Sequence, residues 1–339
     1  MSRKQVFICY CLRFALPFDK IGCISTIQIN KFICYCLRFA LPLSLDMDIK
    51  HIKKEWNATI LDILKAFIQI CKENGLEYYC CAGTAIGAVR HHGIIPWDDD
   101  IDVIMPRPDY DRLLELAKTK DFGNYEIITP YNDDTYPLYF SKIANKNTTL
   151  IEDRQIPCVI GLYVDIFPLD ATDDDVEKAW RLKDKYTKVI NRLNAVSTHN
   201  SFGEYISLLG DRKEWGRFAI KTAAFFFRKA IRRRLISQMD ELSHLYDYDR
   251  AKNVQVYTGS YGHREVFPKA WLGKGKTFKF EDIEVLLPEN YDEYLRHFFN
   301  DYMQFPPVEQ RIEKHNRAYL NIHKKETREE IKGKVDFKL

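Results

Sequence analysis

Apolar residues between Ile49 and Asn74 recur three and four positions apart, the spacing of one buried face of a helix. These residues are Ile52, Trp56, Ile60, Ile63, Leu64, Phe67, Ile70 and Cys71. Asn74-Gly75 ends the pattern, because both residue types are common where helices stop. Leu76 to Ala82 is rich in Tyr and Cys and predicts a strand. Gly83-Thr84 then turns the chain into a short helix predicted over Ala85 to Arg90.

The rest of the chain alternates between strand-like and helix-like patterns. Strands are predicted over Tyr125–Ile128, Tyr139–Ile143, Thr148–Glu152 and Gly161–Asp170. Helices are predicted over Asp109–Lys118, Val176–Leu193, Trp215–Tyr246 and Tyr291–Phe299, with Asp170 and Asp173 to Asp175 expected at the start of the second one. A loop is predicted over Tyr261–Pro268, and a hairpin over Thr277–Pro288 that turns at Glu281-Asp282.

The first 46 residues carry a different pattern. Phe7 to Pro17 recurs without a change as Phe32 to Pro42, whereas structural repeats drift and need at least three units to stack. We therefore expect the start at Met47 and a spurious or disordered leader over residues 1–46. A signal peptide or anchor is the alternative, although Arg13 interrupts an apolar run that is too short to span a bilayer.

Composition narrows the remaining choices only a little. The chain has 339 residues, enough for a substantial core, and a net charge of +3 that requires neither nucleic acid nor a membrane. Five of the nine cysteines lie in the leader. The other four lack zinc-ligand spacing or a disulfide pattern, which indicates buried thiols in a reducing, cytoplasmic compartment. They are Cys71, Cys80, Cys81 and Cys158.

The stretch Asp98-Asp99-Asp100-Ile101-Asp102-Val103 places four carboxylates within five residues. Side chains two positions apart on a strand share a face, so Asp100 and Asp102 point the same way while their apolar neighbours enter a core. Adjacent carboxylates repel unless a positive charge lies between them, and oxygen ligands suit Mg²⁺ or Mn²⁺. Asp165 is a single charge in an apolar strand, which is costly unless it is paired or metal-bound, so we predict it as a third ligand.

Two other kinds of site are disfavoured by the residues in and around the acidic run. An EF-hand fails because the sixth position is Val103 rather than glycine and the twelfth is Asp109 rather than glutamate. The sequence has no nucleophile elbow that would support a serine or cysteine triad. A solvated turn remains as the structural alternative, and the Ile/Val alternation argues against it.

Gly83-Thr84 lies between a predicted strand and a predicted helix, where backbone N–H groups can seat a phosphate. Thr84 acting simply as the helix N-cap is the alternative. His91 and His92 are predicted to contact phosphate or donor rather than metal, because oxygen ligands dominate nearby. Three carboxylates on strands beside such a turn indicate metal-assisted phosphoryl or nucleotidyl transfer.

The helix predicted from Trp215 has a basic section beside an apolar stripe. The stripe comprises Ile220, Ala223, Ala224, Phe227, Ile231 and Leu235, and the basic residues are Arg228, Lys229, Arg232, Arg233 and Arg234. A basic helix with surplus aromatic residues can lie on an anionic membrane, so peripheral membrane contact through residues 215–236 is one expectation. A core helix with a solvated face is the other.

The stretch from Gly83 to Asp102 resembles the signature of the LicD family, which includes bacterial phosphocholine transferases and is related to fukutin and fukutin-related protein. The matching residues are Gly83-Thr84, Gly87-Ala88-Val89-Arg90-His91-His92-Gly93 and Ile95-Pro96-Trp97-Asp98-Asp99-Asp100-Ile101-Asp102. Further similar stretches are Phe140–Ile143, Val164–Asp170, Phe278–Leu295 and Pro306–His315. The resemblance therefore runs from about Leu61 to His315.

This resemblance implies an α+β, nucleotidyltransferase-like fold, in which a mixed β-sheet is flanked by helices, with additional C-terminal helices and a hairpin. We expect the catalytic domain over residues 47–320 and a charged tail, frayed or disordered, over 321–339. The implied reaction transfers a phospho-alcohol from a CDP-alcohol donor, with CDP-choline favoured, to a hydroxyl of a glycan or lipid-linked glycan. CMP is released, and no nucleic acid is involved. The implied location is cytoplasmic, at the inner face of the cytoplasmic membrane.

The resemblance also implies roles for individual residues. Gly83-Thr84 would seat the donor phosphates, Asp100 and Asp102 would be paired metal ligands, and Asp165 would be the third carboxylate. Asp98 and Asp99 are expected as outer or alternate ligands, and Asp165 or a metal would help to deprotonate the acceptor hydroxyl. The cations expected to offset the diphosphate charge are Arg90, Lys142 and Arg311; the last is predicted to share a helical face with His315.

Three alternatives stay open from the sequence. A nucleotidyltransferase would use a nucleoside triphosphate and release pyrophosphate. A non-catalytic protein would bind a divalent cation and turn over nothing. An inactive family member would act as a scaffold, which the intact set of carboxylates disfavours.

Overall fold

The computed structural model describes residues 52–156, 158–198, 206, 210, 215–313, 315 and 317–334, without the side chains of residues 216, 217, 219–221 and 223–225. The predicted leader and the last residues of the predicted tail lie outside this part. Trp56–Leu339 forms one compact unit, which contains the sheet and the site.

The predicted N-terminal helix is confirmed as α1, residues 52–74. The predicted face is buried from Trp56 to Cys71, while Ile52 is exposed. The helix ends at Gly75, which adopts a φ of +57° that suits glycine. The strand that follows is much shorter than predicted, β1 (Tyr79–Cys80), and the next helix, α2 (Ala82–Ile86), begins earlier than predicted.

A seven-stranded mixed sheet forms the centre of the fold. Its strands are β1, β2 (Asp102–Pro106), β3 (Tyr125–Ile128), β4 (Ser141–Asn145), β6 (Tyr163–Ala171), β7 (Asn253–Gln255) and β8 (Val266–Pro268). The order is β1-β2-β6-β4-β3, with β7 paired to β6 and β8 to β7. Only β2 and β6 pair in parallel among these described strands. The sheet and its flanking helices confirm the predicted α+β class.

Helix α3 (Arg107–Thr119) follows β2 directly and begins two residues before the predicted start. It carries Arg107, whose Nε donates to Asp170 at 2.5 Å. Asp170 was expected to begin a helix, but it is a buried residue of β6. The next helix is instead capped by Asp175, whose side chain accepts from the N–H groups of Glu177 and Lys178. Asp170 can lie in the core because the guanidinium of Arg107 on α3 pairs with its carboxylate.

Two long helices pack together and form an apolar cluster that is separate from the core around the central sheet. They are α4 (Val176–Ser197) and α5 (Trp215–Ser243). The buried residues of this cluster include Leu182, Tyr186, Val189, Leu193, Leu235, Ile236, Met239 and Leu242.

Helix α5 departs from the predicted stripe at Phe227, where the backbone is non-helical (φ −112°, ψ 15°). The kink leaves Phe227 63% exposed instead of on the buried face. Arg232, predicted on the basic face, is buried and donates to the carbonyls of Pro130, Asp133 and Tyr136. Three carbonyl partners explain how the charge enters the interior. No described helix is long and apolar enough to cross a membrane.

The C-terminal part adds the predicted hairpin and helix. The hairpin is β9 (Lys276–Phe280) and β10 (Ile283–Leu287), and the helix is α6 (Tyr291–Phe299), as predicted. The predicted loop at Tyr261–Pro268 contains a 3₁₀ helix and β8.

The segment predicted as a charged tail is ordered as far as the structure describes it. Strand β11 (Tyr319–Asn321) pairs with β5 (Thr149–Ile151), and α7 (Arg328–Ile331) begins with a capping box. Ile331 is buried beside Ile151, so this segment packs on the body of the protein.

Candidate active site

Three neighbouring strands bring two carboxylates and a lysine into one row. Asp102 of β2 lies opposite Asp165 of β6, and Lys142 of β4 lies opposite Asp165 from the other side. The Asp165 N–H donates to the carbonyl of Ile101 at 2.9 Å, which fixes this register. Because neighbouring strands lie about 4.8 Å apart, the two carboxylates face each other at close range.

Lys142 lies beside Asp165 on the neighbouring strand and is 1% exposed. Its Nζ donates to Asp165 Oδ1 at 2.8 Å, lies 3.7 Å from Glu152, and is 3.3 Å from the ring centre of Tyr163. Burial lowers the pKa of Lys142, but the charges of Asp165 and Glu152 outweigh it and raise the pKa overall. The Lys142 ammonium therefore stays charged, and its hydrogen bond orients the Asp165 carboxylate.

The carboxylates near Lys142 have too few positive charges around them to offset their mutual repulsion. Burial raises the pKa of Asp165 to about 6, although Lys142 opposes the shift. Burial, and then the charges of Asp100 and Asp165, raise the pKa of Asp102 well above its usual value. Burial, and then Asp100, raise the pKa of Asp98 to about 7. This pattern is the signature of carboxylates that are both desolvated and mutually repelling.

Asp98 lies against the turn at the start of α2. A Cβ added at Gly83 would lie 2.3 Å from Asp98 Oδ2, so only glycine lets this carboxylate approach the helix. The hydroxyl of Thr84 accepts from the backbone N–H of Asp102 at 2.8 Å. Thr84 is buried inside α2, and the N-cap position belongs to Cys81, which makes no side-chain cap. The structure thus shows Thr84 bracing β2, and the N-cap alternative is wrong.

Asp99 is held by the C-terminal segment rather than by its neighbours in sequence. His315 Nδ1 lies 2.8 Å from Asp99 Oδ1, and Arg317 Nη2 donates to Oδ2 at 2.6 Å. Trp56 Nε1 donates to the Asp99 carbonyl at 2.8 Å. The hydrogen bond to Asp99 raises the pKa of His315 to about 9, against burial and with help from Asp100. The imidazolium thus clamps Asp99, with its Nε2 3.5 Å from Asp100 Oδ2.

A cluster of rings and guanidinium groups forms another wall. Arg90 Nη1 donates to the carbonyls of Tyr302 and Gln304, and its guanidinium lies 4.8 Å from the centre of the Phe305 ring. The Arg311 guanidinium lies 5.2 Å from the ring centre of Trp97 and 5.4 Å from that of Phe305. The two arginines predicted from sequence are therefore brought together.

The two histidines of the motif are placed differently. The His91 ring contacts those of Trp97 and Phe305 edge-on, and burial, followed by Arg90, lowers its pKa, which keeps it neutral. His92 is exposed, has a φ of +55°, and accepts through its carbonyl from Glu281 N–H. His92 thus serves as the turn on which the β9–β10 hairpin docks.

These elements surround a cleft of about 1350 Å³. The predicted site residues that line it are Gly83, Arg90, Asp98, Asp100, Asp102, Asp165 and Arg311. Four other predicted site residues are not among the residues that line the cleft: Thr84, His91, His92 and Lys142. His315 also lines the cleft, but the predicted helical face shared with Arg311 is wrong. Arg311 follows a short 3₁₀ helix, Val308–Gln310, and the described residues after it are irregular because His315 is held by Asp99.

Comparison with known proteins supports the resemblance to the LicD family. The model of the LicD/FKTN/FKRP nucleotidyltransferase domain matches residues 75–194, which contain the acidic run, Lys142 and Asp165. The chain is 25% identical over 279 residues to the lipopolysaccharide cholinephosphotransferase LicD of Haemophilus influenzae, across 79% of this chain and 97% of that protein. The predicted resemblance to the LicD family is confirmed, with the family's domain over residues 75–194. The chain is an enzyme, a transferase of the LicD type.

Two further relatives match shorter parts of the chain. Mannosyltransferase regulator 4 of Saccharomyces cerevisiae is 26% identical over 128 residues, 35% of this chain and 10% of that protein. An uncharacterized protein of Rickettsia prowazekii is 40% identical over 45 residues, 13% of this chain and 17% of that protein. The predicted family and fold are thereby confirmed.

The acidic groups of the site fit a divalent cation. Ligand atoms of Asp99, Asp100 and His315 lie within 4.8 Å of one another. Both oxygens of Asp99, however, are engaged by His315 and Arg317, and a protonated imidazole has no lone pair for a metal. The cleft is also lined by four carboxylates, and a cation among them would offset their mutual repulsion. They are Asp98, Asp100, Asp102 and Asp165.

Three residues at this site were not predicted from the sequence. Glu152 flanks Lys142, Arg317 clamps Asp99, and Glu265 lines the cleft while being 3% exposed. Glu265 Oε1 accepts from the Tyr261 N–H at 3.0 Å. Each is a single charge without a local partner motif, so only the tertiary structure reveals its role.

Glu265→Gln should change how stability depends on pH. Burial raises the pKa of Glu265 from 4.5 to about 7, against the charge of Lys183. The folded protein therefore binds this proton more tightly than the unfolded chain, so wild-type stability falls as pH rises through this interval. Glutamine cannot titrate, and its amide oxygen can still accept from Tyr261. We expect equal melting temperatures near pH 4.5 and a variant more stable by roughly 5 °C above pH 7.

Calorimetry across this pH range measures the difference. Lys183, whose pKa is lowered to about 8 by burial, remains largely protonated over the interval and so does not mask it. The exposed Glu115→Gln serves as the control. Parallel curves for wild type and Glu265→Gln would contradict the prediction.

Proposed function

We propose that this LicD-family enzyme is a metal-dependent phosphotransferase. It moves a phospho-alcohol, by preference phosphocholine, from a CDP-activated donor to a hydroxyl of a cell-surface glycan such as lipopolysaccharide, teichoic acid or capsule. The single observation that carries the proposal is the row of Asp102, Asp165 and Lys142 across β2, β6 and β4, of which Asp102 and Asp165 line the cleft. Support also comes from the relative named as a lipopolysaccharide cholinephosphotransferase, 97% of which the alignment covers.

In this proposal the acceptor oxygen bonds to the phosphorus that carries the alcohol, and the bond to the bridging oxygen breaks as CMP leaves. Asp98, Asp100, Asp102 and Asp165 would hold Mg²⁺ or Mn²⁺. The bound cation would supply charge that offsets the diphosphate and the leaving CMP. Asp165, whose pKa of about 6 leaves it mostly ionised at neutral pH, accepts the proton of the acceptor hydroxyl.

The basic side chains around the cleft have different proposed roles. Arg311 is the proposed diphosphate contact, because its guanidinium lines the cleft while its Nε donates to the Pro306 carbonyl. Arg90 positions the wall, since its Nη1 is engaged by two carbonyls. Lys142 is a positioning residue, because its Nζ donates to Asp165 and the residue is not in the cleft lining. Gly83 leaves room for Asp98, and the turn that contains it is the proposed phosphate seat.

The proposed location is cytoplasmic, at the inner face of the membrane. Phe226 and Phe227 are exposed on α5, next to Lys229, whose side chain is 75% exposed. Exposed rings beside basic groups suit an anionic bilayer surface. This would bring the enzyme near a lipid-linked glycan.

Incubation with a panel of CDP-alcohols, Mg²⁺ and a glycan acceptor tests the function by the release of CMP. We expect turnover with CDP-choline and none with Asp100→Ala, whose fold is checked by circular dichroism. Release of pyrophosphate from a nucleoside triphosphate would instead support a nucleotidyltransferase. Cation binding with no turnover of any donor would support a non-catalytic protein. Co-sedimentation with anionic vesicles in the same buffer tests the membrane contact, and enzyme left wholly in the supernatant would oppose it.

A further inference from the structure

Three groups of aromatic residues line the cleft, and they differ in the charge beside them. The first contains Trp97 and Phe305, with the guanidinium groups of Arg90 and Arg311 lying over the rings. Two positive charges at these ring faces would repel another cation. This group suits an anionic part of a ligand.

The second group is the pair Phe140 and Phe167. Their ring centres are 4.3 Å apart and their planes differ by 34°, so the two rings cover each other. The ammonium of Lys142 lies 5.5 Å from the centre of the Phe140 ring. This pair therefore offers little open ring face, and a cation already lies beside it.

The third group is Tyr261 with Phe298 and Phe299. Tyr261 makes edge-to-face contacts with the two phenylalanines, with ring centres 5.5 and 5.2 Å apart and planes at 73° and 82°. All three residues line the cleft: Tyr261 is 40% exposed, Phe299 is half-buried, and Phe298 is 4% exposed and forms the base of the corner. Rings held nearly at right angles form a corner with faces on two sides, the arrangement that suits a compact quaternary cation.

A buried carboxylate lies beside this corner. Glu265 accepts from Tyr261 N–H, and among the described residues no cationic side chain lies within 4.0 Å of it. The ammonium of Lys183 instead donates to the carbonyls of Val256, Tyr257 and Gly259. Burial, and then charges that include Asp102 and Glu265, raise the pKa of Tyr261. The corner therefore lies in a negative potential, unlike the other two groups.

We propose that the corner formed by Tyr261, Phe298 and Phe299, together with Glu265, binds the quaternary ammonium headgroup of the donor alcohol. This inference rests on the proposed function and specifies where the headgroup lies. A cation gains from the ring faces and from the carboxylate, typically about 1–2 kcal/mol for a desolvated ring contact. A neutral polyol would bury hydroxyl groups against ring faces that cannot accept them well. The corner would therefore select choline over glycerol or ribitol.

Calorimetric titration of the full chain with CDP-choline and CDP-glycerol, each with Mg²⁺, tests this selection. Tyr261→Leu and Phe299→Leu keep apolar bulk but remove the ring faces, so each should reduce the preference for CDP-choline about tenfold. Glu265→Gln should reduce it as well. The matched control is Tyr131→Leu, an exposed tyrosine that is not in the cleft lining, which should keep the wild-type preference.

A second arm needs no variant and so does not depend on the variants folding. Choline and its neutral carbon isostere, 3,3-dimethylbutan-1-ol, are compared with the wild-type protein by saturation-transfer NMR. Stronger binding of choline supports the corner, and equal binding overturns it. CMP release with an unchanged donor preference in Tyr261→Leu would overturn this inference and leave the proposed function standing. Absence of CMP release from every CDP-alcohol would count against the proposed function itself.

Discussion

Asp102→Asn should remove nearly all turnover while leaving the fold at least as stable as wild type in the absence of divalent cations. The amide keeps the shape of the side chain, and the backbone N–H that donates to Thr84 is unaffected. Loss of one charged ligand removes several kcal/mol of transition-state stabilisation, so kcat should fall about 10³-fold. CMP release under saturating donor measures this.

The stability part of this prediction follows from the charges around Asp102. Burial and the charges of Asp100 and Asp165 disfavour its ionised form, so the folded state gains when that charge is removed. The melting temperature without Mg²⁺ should therefore stay level or rise. Adding Mg²⁺ should raise the melting temperature of wild type and leave Asp102→Asn almost unchanged, because a ligand stabilises only the state that binds it.

The control is Asp121→Asn, an exposed carboxylate paired with Lys146 outside the cleft. It should keep wild-type turnover and the wild-type response to Mg²⁺. Two results would contradict the assignment of Asp102 as a ligand. One is turnover close to wild type in Asp102→Asn, and the other is an undiminished shift with Mg²⁺.

Site residues whose positions follow from the pattern within a single strand or turn could be predicted from the sequence. The apolar alternation around Asp102 and the single charge in the apolar run around Asp165 both follow from the two-residue period of a strand. The structure places Asp102 and Asp165 in strands of one sheet, as that period requires. Asp100 precedes the first residue of β2, so the prediction of one strand that carries both Asp100 and Asp102 is wrong. The C-terminal end of α1 at Gly75 and the hairpin turn at Glu281 are likewise set by local residues; Glu281 adopts a φ of +54°.

Features that depend on distant pairing could not be predicted in this way. Lys142 lies opposite Asp165 only because β4 pairs with β6, and no pattern within either strand specifies that register. His315 reaches Asp99 across 216 positions of sequence. A helical spacing of Arg311 and His315 was a reasonable local inference, yet the clamp on Asp99 replaces helix formation there. Glu265 illustrates the same limit, because an isolated glutamate gives no sign of its burial.

Lys142→Met should unfold more easily than Asp102→Asn or Glu265→Gln. Removing one partner of a buried ion pair leaves an uncompensated charge, which typically costs about 3–5 kcal/mol. Asp165 and Glu152 would both lose their shared cation. We expect the melting temperature to fall by about 10 °C, and turnover to fall with it because Asp165 loses the bond that orients it. Chemical denaturation gives the free energy of unfolding directly.

A double-mutant cycle separates the pair from a general packing defect. Asp165→Asn removes the carboxylate partner, and the double variant Lys142→Met, Asp165→Asn removes both charges of the 2.8 Å pair. Because the desolvated charge at Asp165 is then absent, the double variant should recover roughly half of the stability lost by Lys142→Met. It should not recover turnover, since the proposed ligand and proton acceptor is gone. A double variant as unstable as the sum of the two single variants would show that the Lys142–Asp165 pair contributes no coupling energy, and Lys142 would then be a packing residue rather than the group that positions Asp165.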